Sequence, residues 1–205
     1  MIRRTLVVLS VLLLAGFTPK AQQAIPTPEQ YFGFRMGTDN KLARWDKIVD
    51  YMKQLSENSD RIRFRELGKS TNGNPFIALE IASPDTLKNL DHYKQLQRKL
   101  YFQAGAPTDA ERDEIFRQGK AVVVITTTIH ATEIGASQMV VELVHRLATD
   151  NSPGVKKILD NVIFVLVPSL NPDGQIMVTD WFNKNLDTPF ANSQIPMAIG
   201  TGPVG

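Results

Sequence analysis

Apolar positions first settle into a regular rhythm at Leu42. Leu42, Trp45, Ile48, Met52 and Leu55 recur at three- and four-residue spacing, which places them on one face of a helix of about 15 residues. Asp39 or Asn40 is positioned to cap its start. The rhythm then shortens. Ile62-Arg63-Phe64-Arg65 alternates and Phe76 to Ile81 (FIALEI) runs apolar, with the turn formers GKSTNGNP between them; this pattern predicts an antiparallel hairpin. Residues 85 to 102 return to helical spacing, with Leu87, Leu90, Leu96, Leu100 and either Tyr93 or Tyr101 on one face, and residues 107 to 119 predict a second short helix.

The next block is the most ordered part of the pattern. Ala121 to Ile129 (AVVVITTTI) is a nearly continuous β-branched run, as expected of a strand buried on both faces. Residues 134 to 148 read as a helix and Asn161 to Val167 (NVIFVLV) as a second buried strand. Strand, helix and strand in that order predict a βαβ unit with parallel strands and a right-handed crossover. The fold class expected is α/β, a mixed sheet with helices on both faces.

Composition supports one globular unit. Of the 205 residues, 42 % are hydrophobic and 21 % charged, the balance of a soluble domain. The N-terminus stands apart. Met1-Ile2-Arg3-Arg4 is followed by the apolar run Thr5 to Phe17 and then by polar Thr18 to Lys20, the pattern of a signal peptide over residues 1–21, with cleavage expected after Ala21 or Ala24. The apolar run is shorter than the roughly 20 residues a spanning helix needs. Export to the periplasm or the extracellular space is therefore expected, with no stable membrane span after cleavage. Residues 22–40, rich in Pro, Gly and polar side chains, read as a linker or arm, and residues 41–205 as the folded domain.

Charge then removes one class of partner. The formal charge of +2 includes Arg3, Arg4 and Lys20, and no acid precedes residue 22; loss of that segment leaves −1. A near-neutral chain without a Lys/Arg-rich run gives no footing for nucleic acid. The absence of cysteine excludes both disulfides and thiolate-bound zinc.

Two polar clusters fall at the carboxyl ends of the predicted parallel strands, where α/β sheets collect ligands. His130-Ala131-Thr132-Glu133 is the first. Imidazole and carboxylate are both good zinc ligands, and residues i and i+3 on an opening helical turn project to one side. The same four residues also suit a polar loop, which spacing alone favours; the place at the end of a buried strand brings the two readings level. Asn171-Pro172-Asp173-Gly174 is the second. It has good turn chemistry, and the turn reading outweighs Asp173 as a further metal ligand. His92 reads as a surface residue. His145 lies about 17 Å along its helix at 1.5 Å per residue, too far to share an ion with His130. Ser70 has no His or Asp at a spacing that suggests a serine hydrolase, and Trp45, Trp181 and the methionines read as packing residues.

Taken together, H-x-x-E and NPDG, 41 residues apart with a helix between them, resemble the zinc carboxypeptidase family, that of carboxypeptidase A. The hairpin turn Gly68 to Pro75 is similar to a G-x-S-x-x-G-x-P pattern of that family, and the resemblance covers roughly residues 40 to 180. It implies a metallocarboxypeptidase acting on the C-termini of peptides or proteins, with one zinc ion held by His130 and Glu133. Asn171, Pro172, Asp173 and Gly174 would shape the floor of the site. The family's third ligand is a later histidine, yet no histidine follows His145 and no arginine follows Arg146. The general base and the oxyanion arginine are accordingly expected beyond Gly205, as for the N-terminal part of a longer enzyme. Digestive members carry arginine where this chain has Thr132, so their substrate preference does not transfer. Two alternatives stand beside this reading: a zinc amidohydrolase acting on N-acyl amino acids or cell-wall peptides, and a non-catalytic remnant serving as a binding module.

Overall fold

The computed structural model describes residues 24–101 and 105–190. The expected signal peptide, residues 1–21, and the Gly-rich tail after Ala198 lie outside the described residues. Among the described residues, four strands make one sheet in the order β1-β2-β4-β3, comprising β1 (Ile62–Lys69), β2 (Pro75–Ile81), β3 (Ala121–Thr126) and β4 (Val162–Val167). β1 pairs antiparallel with β2, from Ile62 opposite Ile81 to Lys69 opposite Pro75. β2 pairs antiparallel with β4 at Leu79 to Leu166, and β3 runs parallel to β4 from Ala121 opposite Val162 to Thr126 opposite Val167. The sheet is mixed, as the pattern predicts.

One face of the sheet carries the main core. Helix α2 (Trp45–Asn58) buries Trp45, Ile48, Tyr51, Met52 and Leu55, and α6 (Ile134–Thr149) buries Val140, Val141, Val144 and Leu147. Between them and the sheet lie Ile77, Leu79, Ile81 and Leu166, all fully buried. Each such side chain contributes about 1.5–3 kcal/mol by leaving water. Trp45 also donates its indole N–H to the Pro75 carbonyl, 2.9 Å away, which fixes α2 against the start of β2. The opposite face holds a smaller cluster. Leu87 of α3 (Pro84–Lys88) and Leu90 of α4 (Leu90–Tyr101) pack with Ala82 and Ile163.

Several expectations need correction. The β-branched run is not buried on both faces: β3 is the edge of the sheet among the described residues, and Val122, Val123 and Val124 are 43 %, 38 % and 64 % exposed. A continuous apolar run records strand propensity and does not by itself say what covers the strand. The strand also stops at Thr126, because Thr128 turns the chain with φ at 52°. Helix α2 starts at Trp45 with Arg44 as its N-cap residue, so Asp39 and Asn40 do not cap it. Arg44 instead places its guanidinium on Asp180 and Asp46, at 2.7 and 2.9 Å. The helix expected over 85–102 breaks at Asn89, whose side chain donates to the Asp85 carbonyl. A helix is added as well: α7 (Pro153–Asn161), capped by Ser152, occupies the connection between α6 and β4. α5 (Asp109–Gln118) lies within the expected range and starts from a capping box of Thr108 and Glu111.

The segment from 24 to 40 is folded onto the core. It includes α1 (Pro28–Phe32), and Tyr31, Phe32, Phe34 and Met36 pack against the main cluster. The buried Tyr51 hydroxyl holds this arm by donating to the Pro26 carbonyl at 2.8 Å.

A second long-range tie fixes the β1–β2 turn. Asp173, on helix α8 (Pro172–Asn185), accepts from the Ser70 hydroxyl, from the Asn72 amide at 3.0 Å and from the Asn74 side chain at 2.7 Å. Burial alone would raise the Asp173 carboxyl, but the bonds from Ser70, Asn74 and Asn72 outweigh it and hold the group below its ordinary value.

Two stability predictions follow from this arrangement. Leu166→Ala should lower the unfolding free energy by about 2–5 kcal/mol, while Val124→Thr on the exposed edge should stay within about 0.5 kcal/mol of the parent; urea melts of the two variants measure the contrast. For Asp173, a carboxylate with a depressed folded pKa stabilises the fold above its unfolded value near 3.8 and loses that contribution as pH falls through the lower folded value. Asp173→Asn should therefore cost about 1–3 kcal/mol at pH 7, and its melting curve should converge on that of the parent as the pH falls below the lowered folded value.

Candidate metal centre

The parallel pairing of β3 and β4 brings two strand ends side by side. Beyond the last ladder pair the backbones stay joined, since the Thr127 amide donates to the Val167 carbonyl at 3.1 Å and the Leu170 amide to the Thr127 carbonyl at 2.9 Å. The Thr127 hydroxyl donates to the Pro168 carbonyl at 2.6 Å. Thr128 then takes a positive φ of 52°, which costs a β-branched residue strain and persists only where neighbouring contacts impose it. This bend ends the strand and turns Ile129 to Glu133 across the top of the sheet.

His130 and Glu133 meet in that loop. His130 Nδ1 lies 2.9 Å from Glu133 Oε1, and the His130 backbone amide donates to Glu133 Oε2 at 3.1 Å. Glu133 is the residue before the first turn of α6 and makes no capping bond to the helix, so its carboxylate is free to turn back toward His130. Both side chains face solvent, at 73 % and 45 % exposure, while Ala131 between them is fully buried and anchors the loop. The bonds from the His130 side chain and backbone hold the Glu133 carboxyl below its ordinary value, so it is anionic at neutral pH.

The floor under this loop is built from NPDG. These residues do not form a separate turn but are the N-cap and first turn of α8: the Asn171 side chain accepts from the Gly174 amide at 2.9 Å and Pro172 opens the helix. Turn and helix start use the same residue chemistry, since Asn accepts from a backbone amide and Pro presets φ in both. The other end of the Asn171 amide donates to the Ile129 carbonyl at 3.3 Å. Gly174 abuts the loop directly. A Cβ there would lie 2.8 Å from the Ala131 Cβ and 2.6 Å from Asn171 Nδ2, so only glycine lets α8 approach this closely. Asp173 is committed to the β1–β2 turn, with both of its oxygens accepting hydrogen bonds from that turn.

The remaining histidines are engaged elsewhere. His92 packs edge-on against Tyr93, and His145 Nδ1 lies 2.9 Å from the Tyr51 hydroxyl. Burial lowers the His145 pKa, against an opposing effect of Glu142. Among the described residues no group of three His, Cys, Asp or Glu side chains gathers to hold a metal.

His130 and Glu133 nevertheless fit zinc as two members of a donor set. Two ligands of one tetrahedral ion, each 2.0–2.2 Å from it, stand about 3.4 Å apart, so the observed pair needs to open by roughly half an ångström. Their exposure gives an ion access. Sequence pattern did not reveal the buried polar residues behind the loop, Thr128, Ser137 and Gln175, which are at most 2 % exposed. The only available signal was three small or amide-bearing side chains within otherwise apolar helical and strand patterns.

A family profile described as zinc carboxypeptidase matches residues 48–192. Among solved structures, carboxypeptidase A from Helicoverpa armigera aligns with a TM-score of 0.48 at 17 % identity, covering 73 % of this chain and 32 % of that one. Metallo-carboxypeptidase from Burkholderia cenocepacia gives 0.45 at 22 %, covering 64 % and 27 %, and thrombin activatable fibrinolysis inhibitor gives 0.44 at 14 %, covering 78 % and 30 %. The chain thus spans about a third of the length of the solved structures it matches. No curated protein matches it. On the extent of the profile match, over residues 48–192, the chain belongs to the zinc carboxypeptidase family.

Proposed function

We propose that this chain carries two ligands of a zinc centre, His130 and Glu133, and serves in hydrolysis of C-terminal peptide bonds in an exported protein. The observation that carries the reading is the meeting of an imidazole nitrogen and a carboxylate oxygen, 2.9 Å apart, at the carboxyl end of β3. Zinc bound there supplies Lewis-acid chemistry, polarising a carbonyl and lowering the pKa of water toward about 7. The chain's own residues prepare the place. Glu133 offers its anionic carboxylate, His130 offers Nδ1, and the Ile129 carbonyl held by Asn171 fixes the loop between strand and ligands. Beside the pair, Thr126 to Ile129, Gly135, Ala136 and Leu170 line an open depression, where a peptide approaching His130 and Glu133 would rest. Peptide C-termini as substrates follow from the family, and one zinc ion follows from its chemistry.

Export rests on the basic start and short apolar run of residues 1–21. No helix among the described residues is long and apolar enough to cross a membrane. Since a third donor is not among the described residues, the test reads metal binding and not turnover. His130→Ala and Glu133→Ala should each weaken Zn²⁺ affinity by at least about tenfold in competition with a chromogenic chelator, whereas His92→Ala and His145→Ala should leave it unchanged. Equal affinity in all four variants would rule the assignment out. With its natural N-terminus in a Gram-negative host, the protein should be recovered from the periplasm with a new N-terminus at Gln22 or Ile25, read by N-terminal sequencing.

A further inference from the structure

Behind the ligand loop, three side chains from three elements meet in the interior. Ser137, one turn into α6, lies 3.2 Å from Oε1 of Gln175 on α8, and its hydroxyl makes a short bond with that of Thr128. The Thr128 hydroxyl also donates to the Glu133 carbonyl at 3.1 Å. Gln175 and Ser137 are fully buried and Thr128 is 2 % exposed. Gln175 Nε2, buried with them, faces no acceptor.

Hydrogen counting decides how this cluster is wired. Three bonds need three hydrogens, but the two hydroxyls carry one each, and both end atoms, a carboxamide oxygen and a backbone carbonyl, only accept. A half-turn of the Gln175 carboxamide exchanges Oε1 and Nε2 in nearly the same space. That orientation supplies the third hydrogen. It also removes a stranded buried N–H, leaving in its place an under-used carbonyl oxygen, which buried sites tolerate better.

We propose that Gln175, Ser137 and Thr128 form a directed hydrogen-bond relay that positions the zinc-ligand loop: Gln175 Nε2–H to Ser137 Oγ, Ser137 Oγ–H to Thr128 Oγ1, and Thr128 Oγ1–H to the Glu133 carbonyl. Every bond points the same way, so each polarises the next. The relay starts on α8 and ends on the backbone of Glu133, and it grips the one residue of the loop held at an unfavourable φ. It rests on the reading of His130 and Glu133 as zinc ligands. All three are positioning residues and none touches the ion.

The test measures Zn²⁺ affinity of the full chain by chelator competition for the parent, Gln175→Met, Ser137→Ala and His130→Ala, with the metal-free melting temperature and amide hydrogen exchange recorded for each. Gln175→Met and Ser137→Ala should weaken zinc by about 10–100-fold and speed exchange of the amides of residues 130 to 136, with exchange in α2 and the melting temperature close to the parent. Parental affinity and loop exchange in both variants, with binding lost in His130→Ala, would overturn the relay and leave the ligands standing. Parental affinity in His130→Ala would overturn the ligand reading and the relay together. A collapse of the metal-free melting temperature in both relay variants would assign the cluster to folding alone and overturn its positioning role.

Discussion

The parallel pairing of β3 with β4 is the constraint on which the site depends. Parallel strands end at the same edge of a sheet, and their in-register pairing, Thr126 beside Val167, delivers two loops to one place although about forty residues separate them in sequence. Antiparallel pairing would have sent the H-x-x-E loop and the NPDG helix to opposite ends. The core on one face of the sheet, where α2 and α6 clamp Leu79 and Leu166, keeps that register from slipping, because a shift by one residue would turn every apolar side chain outward.

On that frame the loop is held by backbone groups more than by side-chain packing. The carbonyls of Thr127, Ile129, His130 and Glu133 each accept a hydrogen bond, from Leu170, from Asn171, from Glu133, and from both Ala136 and Thr128. Such a scaffold leaves the His130 and Glu133 side chains free at the surface while fixing the atoms from which they project. Gly174 and Ala131 contribute by being small: their contact lets α8 serve as the floor and not merely as a neighbour.

Much of this was legible in the chain. The spacing of Trp45, Ile48, Met52 and Leu55 gives α2, the alternation around GKSTNGNP gives the hairpin, and the two β-branched runs give the parallel pair. What was not legible has identifiable causes. AVVVIT promises a strand but not its place, and the strand lies at the edge. Asn171-Pro172 serves a turn or a helix start equally well, and only the partners of Asp173 and Gly174 distinguish them. The Ser152-Pro153 pair that starts α7 is equally good turn chemistry, so in sequence the short helix does not separate from a plain connection into β4. Nothing in the identity of Thr128 predicts a positive φ, because the groups its hydroxyl meets, the Glu133 carbonyl and the Ser137 hydroxyl, come from five and nine residues further along the chain. His130 and Glu133 stand out through their place at a strand end and the NPDG that follows, and not through spacing alone, whereas Ser137 and Gln175 look in sequence like ordinary polar positions of two helices.

Among the described residues, the β3 edge of the sheet has a physical character of its own. β3 offers an unpaired row of amides and carbonyls along Ala121 to Thr126, with Val122, Val123 and Val124 exposed beside it. Natural edge strands are usually guarded by charge, proline or a bulge, and this one has none of these between its first residue and its last; Lys120 stands just outside. An unguarded edge strand is in general a template for pairing with a further extended segment. Among the described residues, Ala121 to Thr126 are thus six residues whose backbone hydrogen-bonding capacity is only half used.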